Sequence, residues 1–187
     1  MSPPENRLRA YFRKWRGSTA GSPPRVNNSE ILWSWLGAFA GIGLLAWLGQ
    51  YSFSAYSLHL LIGSFGASAV LLFGAPRSPL AQPRNLLGGH ALSAAVGVVC
   101  WQLLHGQPVL AQALAVASAI ALMHLTRCLH PPGGATALIA TLGSTEIERL
   151  GYWYILWPAT TGPLLLLGVA LVVNNLPASR RYPLVWW

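Results

Sequence analysis

The stretch "LTRCLHPPGGATALIATLG" (Leu125–Gly143) decides how this chain folds. It leaves one apolar run, passes an arginine, a histidine and two prolines, and turns apolar again through Gly133-Gly134. A helix interior tolerates neither Pro-Pro nor Gly-Gly well. A helix start does accept proline, because its first N–H groups have no intrahelical partner to lose. The stretch therefore predicts a new helix opening at His130. Counted to Ser144, that helix reaches only about 22 Å, against a hydrocarbon core near ~30 Å. Glycines behind the prolines leave N–H groups uncovered, and a helix N-terminus carries about half a positive charge. Both features favour an anion over a cation.

A second connection, "FGAPRSPLAQPRNLLGGHALSAAVG" (Phe73–Gly97), has the same design. It too passes prolines and an arginine and starts the next apolar run through a glycine pair. Arg84 and Arg127 add full charge near the two helix starts, and Asn85 suits a cap or a donor. The predicted binding set for a small inorganic anion is Arg84, Asn85, Gly88, Gly89, His90, Arg127, His130, Pro131, Pro132, Gly133, Gly134 and Thr136. Ser64, Ser68, Thr136 and Thr141 could line a polar path, although hydroxyls in helices commonly bond back to their own backbone. Plain tight turns between helices would also use proline and glycine, and that alternative stays open.

Working outward, composition sets the class. Charged residues make up 9% and hydrophobic residues 53% of 187, whereas an ordinary soluble domain carries about 25% charge. The expectation is an all-α, polytopic integral membrane bundle of about six apolar segments, at 31–49, 57–75, 86–104, 109–126, 132–143 and 152–174, the fifth short and discontinuous. Residues 1–30 read as a basic tail and linker, 31–176 as the transmembrane domain and 177–187 as a C-terminal tail. No signal peptide is evident, so an uncleaved first helix is expected.

The formal charge of +8 is concentrated in that first tail, in Arg7, Arg9, Arg13, Lys14, Arg16 and Arg25. Such placement orients helices and attracts anionic lipid, so the lipid bilayer rather than nucleic acid is the expected partner. With six crossings, Arg77, Arg84, Arg127, Arg180 and Arg181 join the tail on one side, which predicts both termini cytoplasmic in a bacterial inner membrane. Gly37 and Gly41, Ser93 and Gly97, and Ala113, Ala117 and Ala121 provide small-residue faces for close helix contact and for a homo-oligomer. Tyr152, Trp153, Tyr154 and Trp157 read as interfacial anchors.

The chain contains no aspartate, and Glu5, Glu30, Glu146 and Glu148 all lie outside the proposed spans. A carboxylate-relayed cation pump is therefore disfavoured. No HExxH is present, "GASAV" lacks the second glycine of a nucleophile elbow, and Cys100 and Cys128 form no ligand-spaced set. No enzyme activity, cofactor or metal is expected. Two alternatives remain: a membrane scaffold binding lipid or a partner through the basic tail, and a metal site built from His90, His124 and His130.

With these motifs in hand, the chain resembles the HPP family of integral membrane proteins, named for the triplet that here is His130-Pro131-Pro132. The stretch Gly63–His90 and the closing Arg181-Tyr182-Pro183, after Asn174-Asn175, are similar to that family's other signatures. The resemblance covers roughly residues 31–187. It implies a small-anion transporter, since plastid and cyanobacterial members are associated with nitrite, and it implies four spans where six segments are counted. Some relatives add regulatory CBS modules, which are expected to be absent here.

Overall fold

In a computed structural model, residues 7–17, 21, 24–52 and 63–187 are described. The start of the second apolar segment, at 57–62, and His59 lie outside them. The described chain is all helical: α1 (Arg7–Lys14), α2 (Asn28–Ser52), α3 (Gly63–Ala69), α4 (Pro83–Leu104), α5 (Pro108–Leu125), α6 (Pro131–Ile139), α7 (Thr145–Leu150), α8 (Trp153–Leu156) and α9 (Thr161–Val173). A wide π-helical turn, Val70–Gly74, extends α3, and a tight 3₁₀ turn, Pro79–Ala81, precedes α4.

Proline opens three of these helices. Pro83, Pro108 and Pro131 each occupy the first turn, where the missing N–H costs nothing. α2 starts on a side-chain cap, with the Glu30 N–H donating to Asn27 Oδ1 at 2.8 Å.

Four stretches are long and apolar enough to cross a bilayer: Asn28–Gln50, Pro83–Leu104, Pro108–Leu125 and Trp153–Val173. The last is broken, with α8 ending at Leu156 and α9 resuming at Thr161. α6, at nine residues, rises only about 14 Å and cannot cross alone. Among the described residues, four of the six apolar segments thus hold a stretch long enough to cross, the fifth is too short to do so alone, and the second begins outside them.

Long-range contacts gather six helix ends at one end of the bundle. Arg180, just past α9, reaches the start of α2 at Glu30 and the end of the π turn at Phe73. Arg84 at the start of α4 donates to the Thr126 carbonyl after α5, at 2.7 Å. The connection from α5 into α6 is held there as well, by Asn85 Nδ2 on the Leu129 carbonyl at 2.8 Å. The segments therefore alternate in direction, and α4 and α6 run parallel.

α4 is the central element, packed on α5, α6, α8 and α9. One apolar cluster, including Phe65, Phe73, Leu86 and Leu166, fills the side toward α2, α3 and α9. A second, with Ala115, Ala119, Met123 and Ala137, lies between α4, α5 and α6. Gly37 and Gly41 seat the Phe73 ring, consistent with a close-contact role. On α5 the expectation is corrected: Ala111, Ala115 and Ala119 are buried, while Ala113, Ala117 and Ala121 face outward. Both stripes are small, so side-chain size could not reveal which one meets α4.

Arg180 is a second correction. It is not a loose flanking charge but is 7% exposed, with its guanidinium spent on Glu30 Oε2 and O, Ser34 Oγ, Asn174 Oδ1 and the Phe73 carbonyl. Asn174 in turn donates to the Leu72 carbonyl at 2.9 Å. These donors satisfy carbonyls that a short helix leaves orphaned at its end. The tail after it is also bound: the Tyr182 hydroxyl donates to the Ala81 carbonyl, and Gln82 Oε1 accepts from the Leu184 N–H. Arg180→Ala is expected to cost about 3 kcal/mol, because it strands Glu30 and several carbonyls. Arg181→Ala, at an exposed position, should stay within about 0.5 kcal/mol. Thermal unfolding in detergent compares the two.

Candidate functional site

The site forms where α6 meets α3 and α4. At the start of α6, Pro131 and Pro132 carry no N–H, and the Gly133 N–H donates to the His130 carbonyl at 2.8 Å. This helix start therefore presents fewer free donors than its glycine pair suggested. The glycines act instead on distance. A methyl group at Gly89 would lie 2.5 Å from His130 Cβ, and one at Gly133 would lie 2.8 Å from the Gly89 carbonyl. Further along, a methyl at Gly97 would lie 2.6 Å from the Ala137 carbonyl. Bare backbone on both helices lets α6 lie directly against α4. Gly88 sits against Cys128, and Gly134 has room around it.

This close approach brings together side chains from distant parts of the chain. Ser68 Oγ on α3 lies 2.8 Å from His90 Nε2 on α4 and 2.9 Å from His130 Nε2 at the mouth of α6. His90 Nδ1 lies 2.7 Å from Thr136 Oγ1, which is 2.9 Å from Ser64 Oγ. His130 Nδ1 faces the Leu80 carbonyl at 2.8 Å. All five side chains are buried, with exposures of 0–1%. The imidazole centroids are 5.0 Å apart, and Phe65 meets His90 edge-on. His90 lies seven residues into α4, so the cluster sits roughly 10 Å below that helix start. Polar groups at such depth in a membrane bundle are costly unless bonded, and here each one is.

The other expected residues take different positions. Arg84 and Asn85 bind the carbonyls of Thr126 and Leu129, and so hold the turn that carries Arg127 into place. Arg127 is exposed and adopts φ 57°. The Arg127 N–H donates to the His124 carbonyl and the Cys128 N–H to the Met123 carbonyl, which closes α5 with a Schellman motif. Glycine is the usual residue at that left-handed position, so an arginine there points to a use for its side chain. His124 is exposed and joins neither imidazole. Among the described residues, no group of three or more His, Cys, Asp or Glu converges as a metal site. Thr141 bonds back to the Leu138 carbonyl at 2.7 Å and stays outside the cluster.

Tyr154 corrects the reading of the aromatic quartet. It is fully buried and its hydroxyl donates to the Thr136 carbonyl at 3.0 Å, whereas Tyr152 and Trp153 are exposed as anchors would be. No local signal separates it from its neighbours, because the break between α8 and α9 resets the helical register. A cleft of about 410 Å³ at the gathered end, lined in part by Arg77, Arg180 and Arg181, was also not evident from spacing.

Comparison with known proteins places this geometry in context. The transmembrane region of the HPP family matches residues 23–183. Two transmembrane proteins of Dictyostelium discoideum are 49% and 48% identical over 180 and 181 residues, in each case 95% of this chain. The chain spans 57% and 63% of the length of these relatives. No solved structure matches it significantly.

The two glycines of the α6 start should respond oppositely to the same change. Gly133→Ala is expected to destabilise by about 2 kcal/mol through its clash with α4. Gly134→Ala should instead stabilise by about 0.5–1 kcal/mol, since its methyl has space and alanine favours helix. Melting temperatures in detergent, measured side by side, give the sign of each.

Proposed function

Since the chain belongs to the HPP transmembrane-region family, we propose that it is a membrane transporter for a small inorganic anion, with nitrite as the first candidate. The observation that carries this reading is the buried cluster of Ser64, Ser68, His90, His130 and Thr136, which sits between α3, α4 and α6. Hydroxyls and imidazoles can present hydrogen to a dehydrated anion when they exchange their bonds to one another for bonds to it. No carboxylate hydrogen-bonds to them among the described residues: Glu30 pairs with Arg180, and Glu146 and Glu148 are exposed on α7. Membrane-buried polar groups of this kind mark a substrate path by default.

In this proposal Arg127 attracts the anion at the mouth, and Arg77 and Arg181, exposed in the cleft, raise its local concentration. His90, His130 and Thr136 take over the contacts that water made. Arg84 and Asn85 position the Arg127 turn, Gly88, Gly89, Gly133 and Gly134 set the closeness of α6, and Pro131 and Pro132 fix where it begins. The chemistry is transfer without covalent change, so no enzyme activity is proposed. Under this proposal both termini lie on the cytoplasmic side of a bacterial inner membrane. The orientation is supported by the basic residues that share the gathered end with the start of α2.

Proteoliposomes given ¹⁵N-labelled sodium nitrite test the reading, with protein-free vesicles alongside to subtract nitrous acid leak. Uptake above that leak is expected, and its absence across nitrite and other small anions would sink the proposal. Thr136→Val, which keeps shape but removes the hydroxyl, should lower uptake about tenfold, the effect of ~1.4 kcal/mol. Arg127→Gly separates function from stability. It should raise stability by about 1 kcal/mol by relieving the left-handed strain, yet reduce uptake at low nitrite.

A further inference from the structure

One arrangement of protons gives every imidazole nitrogen of the cluster a hydrogen-bond partner when both histidines are neutral. The Leu80 carbonyl can only accept, so His130 must carry its proton on Nδ1, 2.8 Å away. His130 Nε2 is then bare and must receive the Ser68 hydroxyl proton across 2.9 Å. The 3.2 Å approach of that hydroxyl to the Ser64 carbonyl is the longer alternative. With its one proton committed, Ser68 can only accept from His90, so His90 carries its proton on Nε2. His90 Nδ1 is therefore bare and receives the Thr136 hydroxyl across 2.7 Å, the shorter of that hydroxyl's two contacts, in place of Ser64 Oγ at 2.9 Å. The two histidines thus hold opposite tautomers, set by one carbonyl at the end of the chain of bonds.

From this we infer that His90, Ser68 and His130 form a binding site for a single exchangeable proton, which is carried together with the anion. The inference rests on the transporter reading above and gives it a coupling ion. An added proton fits on either ring. With His90 doubly protonated, Ser68 still donates to His130 Nε2. Transfer then needs one concerted step. The Ser68 O–H bond breaks as an N–H bond forms at His130 Nε2, and the His90 Nε2–H bond breaks as a new O–H bond forms at Ser68. Ser68 ends as a hydroxyl donating to His90, His90 is neutral with its proton on Nδ1, and the positive charge has moved to His130. Atoms and charge balance without any co-reactant.

Second protonation is opposed by the first, because the ring centroids are only 5.0 Å apart. Among the described residues, no counter-charge hydrogen-bonds to the rings. α3 faces the rings with Ser64, Phe65 and Ser68, α6 with Thr136, and the 3₁₀ turn with the Leu80 carbonyl. The Tyr154 hydroxyl of α8 is engaged with the Thr136 carbonyl, and the Cys128 thiol lies 3.0 Å from Thr126 Oγ1. A buried cation without a partner is costly. A small anion beside the pair supplies the missing charge, so each ion favours binding of the other, and by linkage the effect is reciprocal.

Two measurements on the reconstituted full chain test this. In ¹⁵N-histidine NMR of the protein in bilayers, assigned with His90→Gln and His130→Gln, the neutral state should show His130 as the Nδ1–H tautomer and His90 as the Nε2–H tautomer. The two rings should take up one proton jointly, and Ser68→Ala, by removing the bridge, should localise that proton on one ring. Identical tautomers, or independent titration in the unaltered protein, would overturn the proton site whether or not nitrite is transported. In pyranine-loaded proteoliposomes given sodium nitrite, one proton should enter per nitrite beyond the leak of protein-free vesicles. Nitrite uptake without acidification would overturn the coupling while leaving transport standing. Absence of nitrite uptake would instead overturn the transporter reading and the coupling with it, leaving the NMR result to decide the proton site alone.

Discussion

The closeness of α6 to α4 is the constraint on which the rest of the structure depends. Gly89, Gly97 and Gly133 remove the side chains that would hold the two backbones apart, and a single added methyl at any of them would meet backbone or Cβ atoms within 3 Å. Only at that separation does His130 reach both Ser68 and the Leu80 carbonyl. In lipid no hydrophobic force draws helices together, so such packing and the hydrogen bonds it permits supply the association themselves.

A bundle in which helices end inside the protein must also satisfy the backbone groups at those ends. The π turn after α3 ends inside the protein, and its terminal carbonyls are met by Asn174 and Arg180. The α6 start solves the opposite problem with two prolines and a single backward bond from Gly133. Non-helical backbone at membrane depth is tolerated only where protein covers it, and both devices comply. The clamp at Arg180 therefore does more than fasten the tail: it satisfies the carbonyls at the end of the helix that carries Ser64 and Ser68.

This arrangement connects fold to function. Polar side chains collect where α6 meets α3 and α4, and among the described residues no acidic partner is hydrogen-bonded to them. In the proposed reading an anion is the ligand of this set and a proton the charge that it shares. The exposed Arg127, held in a strained conformation by Arg84 and Asn85 from the facing helix start, places fixed positive charge at the mouth of the same helix.

Much of this was legible in the sequence by itself. Proline at three helix starts, the short run after His130, the scarcity of charge and the basic tail together determined an all-helical membrane bundle and where its segments begin. These features act within a few residues, through missing N–H groups and the thickness of the bilayer, and so can be read locally. The members of the polar cluster could be named from the chain, but their meeting could not. Ser68, His90 and His130 are separated by 22 and 40 positions, and nothing in a run of small and apolar residues marks which side of a helix faces inward. The same ambiguity hid Tyr154, the buried stripe of α5 and the partner of Arg180. Tertiary structure decided these, because helix rotation in lipid is set by how closely backbones can approach, and that depends on the facing helix as much as on the residue itself.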